Sequence, residues 1–318
     1  MLYWVLKDTR WADLVGAVRH VDLPLFLLST LLVTLTFPAR AMRTRWLLRA
    51  ATGRRPPYLP VWRATAIGFM ANNLLPLRAG ELARGVALGR LLKERISTAL
   101  STIAVERVFD GIVIMLLLAV AVASPEFPVS AAQGERLGRL AAVTATIFAS
   151  ALGILALVAH YPDRILRPVH AAVRRTFSEH NAARVLRIID GLADGVGVLR
   201  RGGDFAWVLG WTLALWGLNA ASYVAAFEAF HLGVPASTSL VLQGVLAIGV
   251  SVPSTPGFVG VFEGACKLTL GFYGVAASTA AAFALAVHLA WFIPITALGL
   301  LSLARTGLTM HDIRRRAE

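Results

Sequence analysis

Two carboxylates and an arginine interrupt a long apolar run. Glu106, Arg107 and Asp110 follow the stretch that begins at Ile96, and the two acids are four residues apart, about one helical turn. An ionisable residue inside a membrane costs roughly 2.5–3.5 kcal/mol on insertion scales, so each one requires a partner or a function. Because Arg107 supplies one positive charge for two carboxylates, another cation must approach them.

A second ionisable group offers the candidate cations. Arg78, Glu81 and Arg84 are spaced by three, so they share one face if this segment is helical. A guanidinium can hold a phosphate through two parallel hydrogen bonds, and the backbone N–H groups of a broken helix also bind anions. We therefore predict a phosphate site in which Arg78 and Arg84 hold the ligand. The carboxylates at 81, 106 and 110 would orient these arginines and could bind an amine of a zwitterionic head group.

Neutral residues next to these groups are weaker candidates for the same site. Asn72 and Asn73 offer donors and acceptors, or they cap a broken helix. Pro256, Gly257 and Gly260 would let an opposing backbone approach closely, or they only shape a turn.

Four further ionisable residues lie in or near apolar sequence. Glu263 and Lys267 are four apart with the acid first, the favourable order for an ion pair, and form a ligand site or a structural clasp. His288 is expected to be a hydrogen-bonded packing residue. Glu228 is expected at the water interface.

Composition places these groups in a membrane protein. Of 318 residues, 57% are apolar and 15% are charged, whereas a soluble domain has about 25% charged residues. The formal net charge is +13, but nucleic-acid binders do not combine such charge with long uncharged apolar runs. The single cysteine, Cys266, excludes an internal disulfide and any metal site built from several cysteines.

Five segments are long and apolar enough for spans, and two shorter apolar segments run into proline and glycine. The predicted spans are 23–42, 96–123, 139–159, 205–230 and 278–304, and the shorter segments are 59–75 and 238–252. Since proline removes a backbone donor and glycine loosens a helix, we predict that both shorter segments are re-entrant helices that break inside the membrane. The expected fold class is an all-α polytopic membrane protein with a single transmembrane domain over 1–318.

Basic residues predict the topology. Twenty-four of the 31 lysines and arginines lie in 40–95, 160–204 and 305–318, whereas 124–138 and 231–237 contain one between them. Positive residues stay in the cytoplasm, so we expect a multi-pass protein of the inner membrane with a cytoplasmic C-terminus. These arginines could instead form phosphate-binding surfaces.

This topology makes the chain an inverted repeat. The first unit covers about 23–123, the second covers about 205–304 in the opposite orientation, and 139–204 connects them. Inverted repeats with broken helices in corresponding positions occur in many transporters, whose binding sites lie near the membrane midplane.

No catalytic motif competes with this interpretation. The chain lacks the common hydrolase, metalloprotease and P-loop signatures, so no catalytic residue, metal or cofactor is expected. Two alternatives remain open. The protein could be a membrane enzyme that acts on a polyprenyl phosphate or phospholipid, with Glu106 or Asp110 as the base. It could also be an accessory subunit that docks a partner or anionic lipids through 160–204.

Three motifs resemble the transmembrane-region family of lysylphosphatidylglycerol synthases, which is also called flippase-like. They are the run from Gly68 through Asn72-Asn73-Leu74-Leu75-Pro76-Leu77-Arg78-Ala79-Gly80-Glu81 to Arg84, the run Glu106-Arg107-Val108-Phe109-Asp110, and the run Pro253-Ser254-Thr255-Pro256-Gly257-Phe258-Val259-Gly260-Val261-Phe262-Glu263. Their order and spacing extend the resemblance over nearly the whole chain.

The resemblance implies a role in moving lipids. In well-known members this region is thought to carry an aminoacylated phospholipid between leaflets, while a separate soluble domain makes that lipid. The chain ends at Glu318, so we expect a stand-alone translocase and no lipid aminoacylation. Members often begin with one more span, of which 1–6 would be a remnant. Membrane lipids are the expected partners, nucleic acid is not, and a homodimer or a lipid-biosynthesis enzyme partner is compatible with the family.

Overall fold

The computed structural model describes residues 19–75, 79–128, 160–195, 202–251 and 255–307, together with Gly16 and scattered positions between 139 and 158. The regular structure of these residues is entirely helical. Most of the predicted span 139–159, and the predicted site residue Arg78, lie outside the described residues.

Ten α-helices are described, and one 3-10 turn precedes the ninth. They are α1 (Leu23–Thr52), α2 (Tyr58–Leu74), α3 (Ala79–Leu92), α4 (Ile96–Val122), α5 (Pro162–Thr176), α6 (Glu179–Gly195), α7 (Gly202–Ala229), α8 (Thr238–Ser251), the 3-10 turn Pro256–Phe258, α9 (Val261–Phe272) and α10 (Ala277–Ala304).

Three of the described helices are long and apolar enough to cross a membrane, namely α1, α7 and α10. Helix α4 is 27 residues long and carries three charged residues near its middle. The pattern of apolar residues thus predicted the positions of all four helices.

Helix α1 continues ten residues beyond the predicted end of the first span. Asp22 caps its start by accepting a hydrogen bond from the Leu25 amide at 3.1 Å. Its end is Gly53, which adopts φ 73°, a left-handed conformation that glycine accepts without steric cost. The longer helix carries Arg40 and Arg43 into the bundle, where both are buried. Both arginines belong to the basic stretch 40–95 from which the topology was predicted, and inside the protein they lie next to Asp110 of α4.

Helices α2 and α3 form a tight antiparallel hairpin. A side chain at Gly80 would collide with the carbonyl oxygen of Gly68, so only glycine permits this approach. The Gly80 amide donates to Asn72 Oδ1 at 3.0 Å. The first predicted helix break is therefore confirmed between Leu74 and Ala79.

Helices α8 and α9 form the second hairpin, and the 3-10 turn lies between them. Gly257 adopts φ 63° in this turn, which glycine accepts without strain. A Cβ on Gly257 would lie 3.4 Å from the carbonyl oxygen of Asn73, so the tips of the two hairpins meet. The side-chain amide of Asn73 also donates to Thr296 Oγ1 of α10 at 2.8 Å.

Helices α1 and α7 pack side by side in antiparallel orientation. The Ser29 hydroxyl donates to the Ser222 carbonyl at 2.7 Å near one end, and the Trp46 and Trp207 rings stack at 5.2 Å near the other. The first hairpin joins the C-terminal end of α1, and the second joins the C-terminal end of α7. The two hairpins therefore enter the bundle from opposite ends.

Helices α5 and α6 occupy most of the predicted basic segment. Helix α5 has no fully buried residue and carries Arg174 and Arg175 in its last turn. Helix α6 packs against α1 and α4.

Candidate functional site

Glu106 and Asp110 lie one turn apart on the buried face of α4, and arginines bind both carboxylates. Arg84 of α3 forms a two-point contact with Glu106, at 2.7 Å from Nη1 to Oε2 and 3.1 Å from Nη2 to Oε1. The Thr44 hydroxyl accepts a hydrogen bond from Arg84 and lies 2.5 Å from Glu106 Oε1. Arg84 is therefore the additional cation that the sequence predicted for Glu106.

Arg43 of α1 makes the second two-point contact. Its Nη1 and Nη2 atoms lie 2.5 and 3.1 Å from the two oxygens of Asp110, and Nη2 lies 3.5 Å from Glu106. It also donates to the Thr212 hydroxyl of α7 at 3.2 Å. This fully buried guanidinium therefore links α1, α4 and α7.

Arg107 lies at a more open edge of the cluster. Its Nη2 atom is 3.2 Å from Asp110, three residues along the same helix, and its Nε atom is 3.8 Å from Glu81 of α3. The side chains of Arg107 and Glu81 are 38% and 37% exposed. This pair is therefore accessible to a ligand, whereas Arg84 and Glu106 are enclosed.

Arg40 is the least neutralised arginine of the cluster. Among the described residues, its acidic contact is Asp110, 3.9 Å away. Asp110 is already bound by Arg43, by Arg107 and by the indole N–H of Trp216 at 2.9 Å. The Arg40 guanidinium lies over the rings of Phe69 and Trp216, 5.2 Å from each centroid, and its buried Nε has no hydrogen-bond partner.

The described cluster carries one surplus positive charge. Four arginines, at 40, 43, 84 and 107, face the three carboxylates of Glu81, Glu106 and Asp110. An uncompensated charge away from water is costly, so this arrangement favours binding of one anionic group.

A cavity of about 340 Å³ opens onto Arg40. Helices α1, α4, α7, α8 and α10 contribute most of its wall. The polar lining residues are Ser29, Arg40, Asn72, Glu81, Arg107, Asp110, Asn219, Ser222 and Gln243, and the aromatic ones include Phe69, Trp216, Tyr223, Phe258, Phe262 and Trp291. The cavity thus combines an Arg-rich region with apolar walls, which suits an amphiphilic ligand.

The predicted site residues fall into two sets. Asn72, Glu81, Arg107 and Asp110 line the cavity, while Arg84 and Glu106 lie behind its wall. Asn73, Pro256, Gly257, Gly260, Glu263 and Lys267 belong to the hairpin tips and α9 and do not line it.

The hairpin-tip residues form a separate hydrogen-bonded clamp around His288. The ring Nδ1 lies 2.6 Å from Glu263 Oε1, and Nε2 lies 2.8 Å from the Gly257 carbonyl. The other Glu263 oxygen accepts from the Gly260 amide at 2.5 Å. His288 is therefore the hydrogen-bonded packing residue that was expected, and it holds the second tip in place.

Sequence reasoning missed Arg40, Arg43, Trp216 and Gln243. The sequence did contain one signal for the two arginines. No glycine occurs between Leu23 and Gly53, and Trp46-Leu47-Leu48 continues the apolar pattern, which indicates a helix that extends past Arg43. Trp216 carries no local signal, since only the packing of α7 brings it to the cavity. Gln243 is a polar residue inside an apolar run, which was the signal that could have found it.

No curated protein matches the chain. A family model described as the lysylphosphatidylglycerol synthase TM region matches residues 1–299. The match includes every helix that surrounds the cavity except the last turns of α10. The chain therefore belongs to the lysylphosphatidylglycerol synthase transmembrane-region family and is a multi-pass membrane protein.

Proposed function

We propose that this protein binds a lipid through its phosphate group and carries that lipid between the two leaflets of the membrane. The observation that carries the proposal is the buried guanidinium of Arg40, which faces the cavity with its charge only partly compensated. A phosphodiester would supply the missing negative charge and accept hydrogen bonds from Arg40 and Arg107. Family membership adds the link to lipid metabolism.

The buried ion pairs suggest a division of roles among the arginines. The guanidinium of Arg84 is bound to both oxygens of Glu106 and to Thr44, and it does not line the cavity. We therefore propose Arg40 and Arg107 as the phosphate ligands, and Arg43 and Arg84 as cations that hold the carboxylates in position. Arg78, outside the described residues, keeps its proposed role as a ligand.

We propose a translocase rather than an enzyme. In the enzyme alternative, Glu106 or Asp110 acts as a base, but arginines bind both oxygens of each carboxylate. A carboxylate in two-point contact with a guanidinium is a poor proton acceptor, because protonation would break that contact.

The proposed mechanism uses an inverted repeat of α1–α4 and α7–α10, placed in the inner membrane with the C-terminus in the cytoplasm. Helix contacts support it, since α2 packs on α10 as α8 packs on α4, and α3 packs on α4 as α9 packs on α10. Likewise, α1 contacts α10 as α7 contacts α4. Movement of the hairpins against this frame would expose the cavity to each leaflet in turn.

Cysteine labelling tests the opposite entry of the two hairpins. In a Cys266→Ser background, Arg54→Cys and Ala276→Cys place exposed thiols at the bases of the first and second hairpins. We expect a membrane-impermeant maleimide to label Ala276→Cys in intact spheroplasts and Arg54→Cys only after permeabilisation. The Cys266→Ser parent is the blank, and labelling of both positions from one side would refute the inverted repeat.

Lipid movement is tested in proteoliposomes. We expect phosphatidylglycerol with a fluorophore on one acyl chain to exchange between leaflets faster than in protein-free vesicles, as measured by dithionite quenching. Vesicles that contain an equal mass of an unrelated helical membrane protein control for bilayer disturbance. Equal rates in all three preparations, for phosphatidylglycerol and for a labelled polyprenyl phosphate, would contradict the proposed function.

A further inference from the structure

The cavity has two chemically different ends. Arg40 and Ser29 both line it from α1 and are eleven residues apart, which corresponds to about 16 Å along a helix. On the antiparallel helix α7, Trp216 lies beside Arg40, and Ser222 lies beside Ser29. The charged cluster therefore occupies one end of the cavity, and uncharged polar residues occupy the other.

Gln243 lies toward the uncharged end. Its neighbour Gly244 packs against Leu118 of α4, where an added Cβ would come within 2.9 Å of the leucine side chain. Leu118 is eight residues beyond Asp110, about 12 Å farther along α4. Two helices thus independently place the uncharged end well away from the ion cluster.

The side chain of Gln243 has no hydrogen-bond partner in the part of the chain that the structure describes. The residue is 2% exposed and lines the cavity, yet within that part neither its amide nitrogen nor its amide oxygen is paired. Leaving buried polar atoms unpaired costs free energy that a ligand can recover. An amide both donates and accepts, so its natural complement is a hydroxyl group, which does the same.

The charged lining residues are confined to the other end. Among the described lining residues they are Arg40, Glu81, Arg107 and Asp110, which contact one another. The uncharged polar residues that line the cavity besides Gln243 and Asn72 are Ser29, Asn219 and Ser222, and apolar side chains line the rest. An ammonium group that reached this end would find no carboxylate among these residues.

The net charge of the ion cluster also limits the net charge of the lipid that can bind. Among the described residues the surplus is one positive charge, which a lipid with a net charge of −1 neutralises. A zwitterionic phospholipid would leave that charge in place, and an aminoacylated lipid of net positive charge would add to it. Burial of like charges is unfavourable, so both classes should bind less well.

We infer that the ligand is a monoanionic phosphodiester lipid whose head group is an uncharged, hydroxyl-bearing group such as a polyol or a sugar. The phosphate lies at Arg40 and Arg107, and the hydroxyl groups lie toward Gln243, Asn219 and Ser222. This inference rests on the proposed function and specifies its substrate class.

The test compares four lipids with identical acyl-chain labels in the proteoliposome assay. Phosphatidylglycerol carries a polyol and a net charge of −1, phosphatidylethanolamine and phosphatidylcholine are zwitterionic, and lysyl-phosphatidylglycerol is cationic. We expect phosphatidylglycerol to exchange about tenfold faster than the other three, in line with the loss of one good polar interaction. Equal exchange of all four, or faster exchange of any of the other three, would overturn the inference while leaving the function intact. If the protein moves a labelled polyprenyl phosphate but none of the four, the inference is overturned and the function stands. If it moves neither the four lipids nor the polyprenyl phosphate faster than in protein-free vesicles, the proposed function itself fails.

A variant separates the role of Gln243 from general packing. Gln243→Leu keeps the approximate volume and removes both polar atoms, and we expect it to slow phosphatidylglycerol about tenfold and to leave the slower lipids unchanged. Thr238→Val is the matched control, because Thr238 is a buried polar residue on the same helix and does not line the cavity. An equal effect of both substitutions, or none of Gln243→Leu, would refute the assignment. If Gln243→Leu does not fold, the ranking of lipids by the wild-type protein still decides the inference.

Discussion

The Glu106→Gln variant is expected to lose about 3–5 kcal/mol of folding stability, the usual cost of removing one partner from a buried ion pair. Glu106 is completely buried and bound by Arg84, Thr44 and Arg43. Glutamine has nearly the same shape, so the loss would come from charge rather than from packing. It would raise the surplus charge of the cluster from one to two and turn an amide N–H₂ group toward a guanidinium.

The measurement is unfolding of the purified protein in mixed detergent micelles as the fraction of dodecyl sulfate rises. Glu228→Gln is the matched control, because Glu228 is exposed near the end of α7 and the substitution is the same. We expect the control to unfold with the wild type. Lipid movement should also be lost in Glu106→Gln and retained in Glu228→Gln. The reverse order would mean that the ion cluster is not the structural centre of the site.

The Arg40→Gln variant is expected to lose lipid binding without losing stability. Arg40 makes no two-point contact with a carboxylate, and its removal leaves three arginines facing three carboxylates among the described residues. The lipid-free protein should therefore be as stable as the wild type or more stable. Affinity for phosphatidylglycerol should fall about 10- to 100-fold, because a hydrogen bond to a charged group contributes about 1.5–3 kcal/mol.

Native mass spectrometry in a mild detergent measures this affinity, and the unfolding assay measures stability on the same samples. Arg54→Gln, in the exposed connection between α1 and α2, controls for the loss of one positive charge. Arg40→Lys should recover part of the binding, since lysine keeps the charge but not the planar pair of donors. If Arg40→Gln destabilises the protein as strongly as Glu106→Gln and still binds lipid, Arg40 is a structural brace and the proposed phosphate site is wrong.

The Glu106→Gln and Arg40→Gln variants separate the structural role of the ion cluster from its role in lipid binding. Buried two-point contacts of Arg43 with Asp110 and of Arg84 with Glu106 connect α1 and α3 to α4, and such pairs hold a single arrangement of helices. Single hydrogen bonds from Arg43 to Thr212 and from Trp216 to Asp110 add α7. Arg40 and Arg107 lie where the cavity reaches this network. The described network holds the helices together and also lacks one negative charge. Binding of an anionic ligand would therefore act on the same helices against which the hairpins move.

The sequence by itself determined the class of protein and much of its helical order. Long apolar runs require a helical membrane protein, because only internally satisfied backbones are stable in lipid. Proline and glycine after Ile67-Gly68 and Ile248-Gly249 located both helix breaks, since these residues act through local backbone geometry. Charge counting also showed that Glu106 and Asp110 need more cations than Arg107.

Only the tertiary structure shows which arginines neutralise Glu106 and Asp110. Arg43 lies 67 positions from Asp110, and Arg40 faces a cavity whose opposite wall comes from α7 and α8. The sequence places Gln243 in an apolar helix, but only the packing of α8 against α4 places it at the cavity. The physical reason is that local sequence governs backbone geometry and apolar periodicity. By contrast, the neutralisation of a buried charge depends on side chains that converge from distant helices.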